Sequence, residues 1–183
     1  MKPISNWETI QASTDHTRLP AGGYVVRITK VEDNPTKQYL TIVWDIAEGL
    51  EKGRYSDEWG RANEYAHRFI RSYKETALGM FKAFITAVEE SNEGFVWTKA
   101  KWNEQALVGK LVGIVLGEEE YDNDRGETKT RLYLKTALSA DKIRRGEYVV
   151  PDLRKAPERA SEGLTPAPEV AFTNPINEDD LPF

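Results

Sequence analysis

Lys129, Arg131, Tyr133 and Lys135 stand at every second position of a stretch in which Thr130, Leu132, Leu134 and Thr136 take the places between. In an extended strand alternate residues project to opposite faces, so the cations and the ring share one face and the other row takes the opposite one. Cations attract phosphates, and a ring offers a flat surface on which a base can stack. Together they are what a single-stranded polynucleotide requires of a protein surface. A solvated strand with an incidental tyrosine is the plainer account, since Lys and Arg commonly decorate exposed faces.

Further basic and aromatic residues fall where such a surface could be extended. Arg27 and Tyr39 lie on the outward rows of a first predicted hairpin. Arg54, Tyr55, Trp59 and Arg61 occupy a polar, glycine-containing segment able to close over a ligand like a finger. Phe69, Arg71 and Tyr73 share one face of a third predicted strand, with Arg68 and Lys74 on the other. For Trp44 and Phe81 ordinary packing is the better account. For Tyr55, Trp59 and Tyr133, each flanked by cations, packing and binding weigh about equally. A base stacked on such a ring is worth roughly 1–3 kcal/mol, so a few rings suffice for useful affinity.

Residue types and spacing argue against catalysis. The two histidines, His16 and His67, sit in a predicted arm and a predicted strand, and no Ser-His-Asp arrangement can be assembled around them. No phosphate-binding GxxxxGK[ST] loop and no GxGxxG fingerprint is present; Leu19-Pro20-Ala21-Gly22-Gly23 reads as a turn opening the first strand. Glu118, Glu119, Glu120, Asp122, Asn123 and Asp124 carry suitable oxygens for a metal but lack the spaced calcium loop with its closing Glu, so they read as solvated acids at a hairpin end. With no cysteine, disulfides and thiolate metal sites are excluded. No cofactor is expected.

The elements that must position these residues are read from periodicity. Residues 22–32 alternate, with Tyr24, Val26 and Ile28 on one face and Val25, Arg27, Thr29 and Val31 on the other. After the turn at Asp33-Asn34-Pro35-Thr36, residues 38–47 place Leu40, Ile42, Trp44 and Ile46 on one face, predicting a hairpin. Residues 49–64 read as a long loop and 65–73 as a third strand. Residues 75–90 carry Leu78, Phe81, Ile85 and Val88 at helical spacing, with Met80, Phe84 and Ala87 widening the stripe. Residues 107–121 and 128–138 read as two more strands joined at residues 122–126. Three strands, a helix and two strands are the element order of the OB-fold, a five-stranded, partly open Greek-key barrel that binds oligonucleotides on one face. The expected fold class is therefore mainly β with one main helix, an OB-fold-like barrel with the helix between strands 3 and 4, plus a disordered C-terminal tail.

The domain organisation follows from composition. Residues 1–20 are polar and non-periodic, an irregular arm with Trp7 and Ile10 as possible anchors; residues 21–151 form the barrel. From 152 to 175 the chain is rich in Pro, Ala, Glu, Ser and Thr and poor in large apolar residues, which predicts a flexible linker. The whole chain carries a net charge of −5, but residues 152–183 hold seven acids and three bases, leaving residues 1–151 at −1. A nearly neutral body can carry a basic groove on one face, so the bulk charge decides nothing about nucleic acid. No apolar run approaches the roughly 20 residues of a membrane span, and no signal-peptide core is present; a cytoplasmic protein without membrane association is expected.

Residues 176–183 end in Glu178, Asp179, Asp180, Leu181, Pro182 and Phe183. Mutually repelling acids and a proline cannot pack into a core, but Phe183 can fill an apolar pocket on a partner while basic residues around it hold the carboxylates. Asp179-Asp180-Leu181-Pro182-Phe183 resembles the acidic Asp-Asp-x-Pro-Phe ending of bacterial and phage single-stranded-DNA-binding proteins. The layout as a whole, a larger OB-like body with such a tail, is similar to the phage-encoded members. The resemblance implies a non-enzymatic protein that binds and protects single-stranded DNA with little sequence preference. It further implies recruitment of replication, recombination or repair proteins through the tip, in the bacterial host cytoplasm. Oligomeric state, a homodimer included, is left open. A non-catalytic β-barrel adaptor and a metal-dependent nuclease are the alternatives.

Overall fold

The computed structural model describes residues 18–123 and 125–156. Strands β1 (Gly22–Asn34) and β2 (Tyr39–Ile46) form an antiparallel hairpin. Leu40, Ile42, Trp44 and Ile46 all enter the main core, as their alternation requires. Val31 departs from the expected phase. The β1–β2 register shifts between Ile28 and Lys30, which inserts one residue into β1 and turns Val31 inward with Val26 and Ile28.

Strand β3 (Arg68–Ser72) pairs with β2, β4 (Leu111–Asp122) with β1, and β5 (Thr128–Leu138) with β4, all antiparallel. The sheet order is β3-β2-β1-β4-β5. The first four strands thus have the Greek-key arrangement, in which the fourth returns to lie beside the first. The sheet is open, with β3 and β5 at its edges. The main helix, here called α2 (Leu78–Ser91), packs on β3, β4 and β5 and buries Phe84, Ile85, Ala87 and Val88. Leu78 and Met80, expected in the apolar stripe, are 48% and 69% exposed in the first turn of the helix, which follows a short 3-10 turn over Glu75–Ala77. Among the described residues no helix is long and apolar enough to cross a membrane.

Two short helices escape the periodicity reading because five residues hardly exceed one turn. One, α1 (Glu58–Ala62), lies within the predicted 49–64 loop and starts where the Asp57 carboxylate accepts from Gly60 N at 2.7 Å. The other, α3 (Ala140–Arg144), covers the second face of the sheet, where Val25, Val115, Ala140 and Ile143 form a smaller cluster. A side chain at Gly113 would meet Ile143 Cγ1 at 2.5 Å, so this glycine lets α3 approach β4. Strand β3 begins at Arg68, not at residue 65, because Glu64–His67 form a 3-10 turn; β4 begins at Leu111 because Glu104–Leu107 form another.

The chain beyond α3 does not leave the domain at residue 151. Arg154 bridges β4 in parallel, donating from its N to Glu118 O (3.0 Å) and accepting from Glu120 N (2.8 Å). The first residues of the expected linker are therefore seated on the sheet. Residues 1–17 and 157–183, which hold most of the predicted arm, the rest of the linker and the acidic tip, lie outside the described residues.

Phe69 and Arg71 both turn inward from β3. The Arg71 guanidinium lies 5.0 Å from the centre of the Phe69 ring and 5.9 Å from that of Phe84, and its Nε is buried without a hydrogen-bond partner. Among the described residues no carboxylate pairs with it, and burial pushes its pKa down to about 10. Its Nη1 donates to Ile70 O at 3.3 Å. A charge held partly out of water without a counter-ion among the described residues is costly, so Arg71→Met, similar in volume, is expected to raise stability by roughly 1 kcal/mol in a denaturant titration. It should leave any ligand affinity of the opposite face unchanged.

Candidate nucleic-acid interface

Strand β5 spans the predicted residues, and its alternation places Leu132 and Leu134 against the core. The register with β4 sets Lys129 opposite Tyr121, Arg131 opposite Glu119 and Tyr133 opposite Gly117. Lys135 is the extra residue where the register slips between Val115 and Leu116. That slip reverses the phase beyond it, so Ala137 packs on the core where Thr136 was expected.

The basic row is not bare. Arg131 Nε meets Glu119 Oε1 at 2.8 Å, and its guanidinium lies 5.0 Å from the centre of the Tyr121 ring. The other Glu119 oxygen takes Arg154 Nη1 at 3.1 Å, and Lys129 pairs with Glu127 at 3.4 Å. Tyr133, for which packing and base stacking weigh about equally in the sequence, is covered: the Arg154 guanidinium sits 4.4 Å from its ring centre, and a side chain at Gly117 would meet the ring at 2.8 Å. The acids 118–120 lie within β4, as the predicted strand over residues 107–121 requires. Arg18 bonds the Glu118 carboxylate, and Glu120 accepts from Ala156 N at 3.2 Å.

Beside this row the fold makes a cleft of about 460 Å³ between the β4–β5 hairpin and the segment after β2. Arg18, Arg54 and Arg131 line it together with Trp59, Tyr65 and Tyr121; Leu19, Tyr55, Ala66, Thr130 and Leu132 complete it. Arg18 reaches across to Thr130 O at 2.7 Å, and Arg54 pairs with Glu51 one turn away. Tyr65 is 66% exposed, a ring presented to solvent beside these guanidinium groups.

The cleft wall rests on Tyr55, which the sequence offers as a base-stacking ring but which is buried. It stacks on His67 (4.4 Å between centres, 4° between planes) and on Trp59 (6.4 Å, 25°), with the Trp44 ring edge-on at 5.6 Å. Its N–H donates to Asp45 Oδ1 at 2.9 Å. Desolvation raises the Tyr55 hydroxyl pKa, against the lowering pull of the Arg54 guanidinium. His67 is buried, its ring nitrogens facing the carbonyl oxygens of Trp44 and of Gly60, the latter at 3.0 Å. A side chain at Gly60 would meet Tyr55 O at 2.2 Å, so only glycine lets α1 lie against this post.

The remaining predicted residues lie elsewhere. Arg27 is exposed on β1 and donates to Gly109 O at 2.7 Å; the Tyr39 hydroxyl accepts from Asn34 Nδ2 at 3.3 Å. Arg61 bonds Ser56 O and borders a separate depression with Lys30, Glu64 and His67. Arg71 and Tyr73 belong to the inward side, where the Tyr73 hydroxyl donates to Asp33 Oδ1 at 2.8 Å. Of the twelve residues named from the sequence, the cleft gathers Arg54, Tyr55, Trp59 and Arg131. Arg18, Tyr65, Tyr121 and Arg154 join the surface without having been named. The observed register sets Tyr121 opposite Lys129, whereas folding about a turn at residues 122–126 would set it opposite Glu127.

Among the described residues no three His, Asp or Glu side chains come together in a way that could hold a metal ion. Comparison with protein-family models and with curated proteins yields no match for the chain.

Proposed function

We propose that this protein binds single-stranded DNA with little sequence preference, as a phage-type single-stranded-DNA-binding protein, and recruits replication, recombination or repair proteins through its acidic C-terminal tip. The observation that carries the reading is the cleft lined together by Arg18, Arg54 and Arg131 and by Trp59, Tyr65 and Tyr121. Guanidinium groups in such a cleft can meet phosphates, and the rings beside them can meet bases. A Greek key extended by a fifth strand, with a helix between β3 and β4, supports an OB-fold whose barrel stays partly open.

The test is fluorescence anisotropy of labelled oligo-dT, with duplex competitor, at two salt concentrations. Binding that weakens with salt and resists the duplex is expected. Tyr65→Ala should then weaken it roughly 5- to 150-fold, the loss of one stacked base, without unfolding an exposed position. Arg131→Ala should weaken it and lower the salt slope by about one. No binding at low salt overturns the reading. It would leave a protein-interaction adaptor, which an exposed apolar patch favours: Trp102 at 67% and Leu78 border a depression with Phe81 and Trp97.

A further inference from the structure

We infer that residues 148–156 belong to the nucleic-acid surface, and that Arg154 and Arg131 together clamp one backbone phosphate. The inference rests on the single-strand reading above and deepens it by adding a segment and a contact.

Two glycines make room for the segment. A side chain at Gly23 would meet the Tyr148 ring at 2.4 Å, and one at Gly117 would meet Pro151 Cγ at 2.6 Å. Backbone bonds on both sides of Arg154 then fix it beside β4, between Glu118 and Glu120. The segment is thus docked by shape and by main-chain pairing, and its one guanidinium has a set position.

That position is next to Arg131. Both guanidinium groups hold opposite oxygens of Glu119, at 2.8 and 3.1 Å. The carboxylate side chain is only 14% exposed, while those of Arg131 and Arg154 are 61% and 60% exposed. The acid therefore lies beneath, neutralising one of the two charges and holding the groups side by side, while the cations keep unused donors towards solvent. A guanidinium has five N–H donors in a planar fork, and the Glu119 contacts occupy only part of each set. Two adjacent forks over one largely covered carboxylate carry one net positive charge between the three groups and fit the oxygens of a phosphodiester. The stacking of Arg131 on Tyr121 and of Arg154 on Tyr133 holds both forks flat, which lowers the ordering entropy lost on binding. Tyr133 accordingly acts through Arg154 rather than as a base platform.

The test uses the full chain and labelled oligo-dT across a salt series. Arg154→Ala is expected to weaken binding about tenfold and to lower the salt slope by about one, with an unchanged melting midpoint. Arg154→Lys should keep the slope and lose part of the affinity, since it keeps the charge without the fork. Because both arginines hold one phosphate, Arg131→Ala with Arg154→Ala should lose less than the product of the single losses. Unchanged or tighter binding by Arg154→Ala, as expected if it only shields Tyr133, would overturn the inference, as would strictly multiplicative losses. In either case binding by the unaltered protein leaves the single-strand reading standing; its failure to bind would sink both.

Discussion

Tyr55→Ala is expected to cost about 3–5 kcal/mol of folding stability, the usual range for removing a buried aromatic ring, and to abolish single-strand binding with it. The ring is 7% exposed and joins three other aromatic groups: His67 and Trp59 stack on it, and Trp44 meets it edge-on. Each such pair is worth about 0.5–1.5 kcal/mol beyond burial. Removing the ring leaves a cavity under α1 and withdraws the support of Arg54, Trp59 and Tyr65, the whole wall of the cleft facing the β4–β5 hairpin. Tyr55→Phe keeps the ring and gives up only the hydroxyl contact with Arg54, so it should retain the fold and most of the affinity. Denaturant titration followed by anisotropy on both variants separates the roles. A Tyr55→Ala protein of unaltered stability that had lost only affinity would put the ring on the ligand and refute the structural role.

This residue also shows what a sequence conveys and what it withholds. Tyr55 between Arg54 and Ser56 reads as a solvent-facing aromatic, since local composition around it is polar. Its burial depends on His67, which the pairing of β2 with β3 places beside Trp44 and against the Tyr55 ring. The hairpin of β1 and β2, the helix and the row on β5 were legible because each is a periodic pattern sustained over many residues, set by local geometry. The register shifts at Ile28/Lys30 and Val115/Leu116 were not, because a bulge is a mismatch between two strands, and one strand's alternation does not record it. Val31 and Thr136 were misplaced for that reason alone. Arg154 was hidden more deeply: a single bridged residue in a proline-containing, charged stretch has the composition of a linker, and only Gly23 and Gly117, far away in sequence, mark its seat.

The second large effect lies away from the cleft. Phe84→Ala should destabilise the fold by about 3–5 kcal/mol, because this 1% exposed ring is what α2 inserts between the edge strands. It meets Phe69 of β3 edge-on at 5.8 Å, while the helix also packs on β5. In an open sheet no strand pairing joins those edges, so side-chain packing from α2 must hold the seam. Arg71 modifies the cost. Its guanidinium leans over the Phe84 ring, and the space left by the ring would admit more water to a charge that lacks a counter-ion among the described residues. Hydration of that charge offsets part of the loss, which places Phe84→Ala near 3 kcal/mol in the natural background. In an Arg71→Met background no charge remains to be hydrated, and the same substitution should approach 5 kcal/mol. A double-mutant cycle by denaturant titration reads this coupling directly, and equal costs in the two backgrounds would show that no further water reaches Arg71. Neither residue lines the cleft, so the folded fraction of each variant should bind oligo-dT as the unaltered protein does.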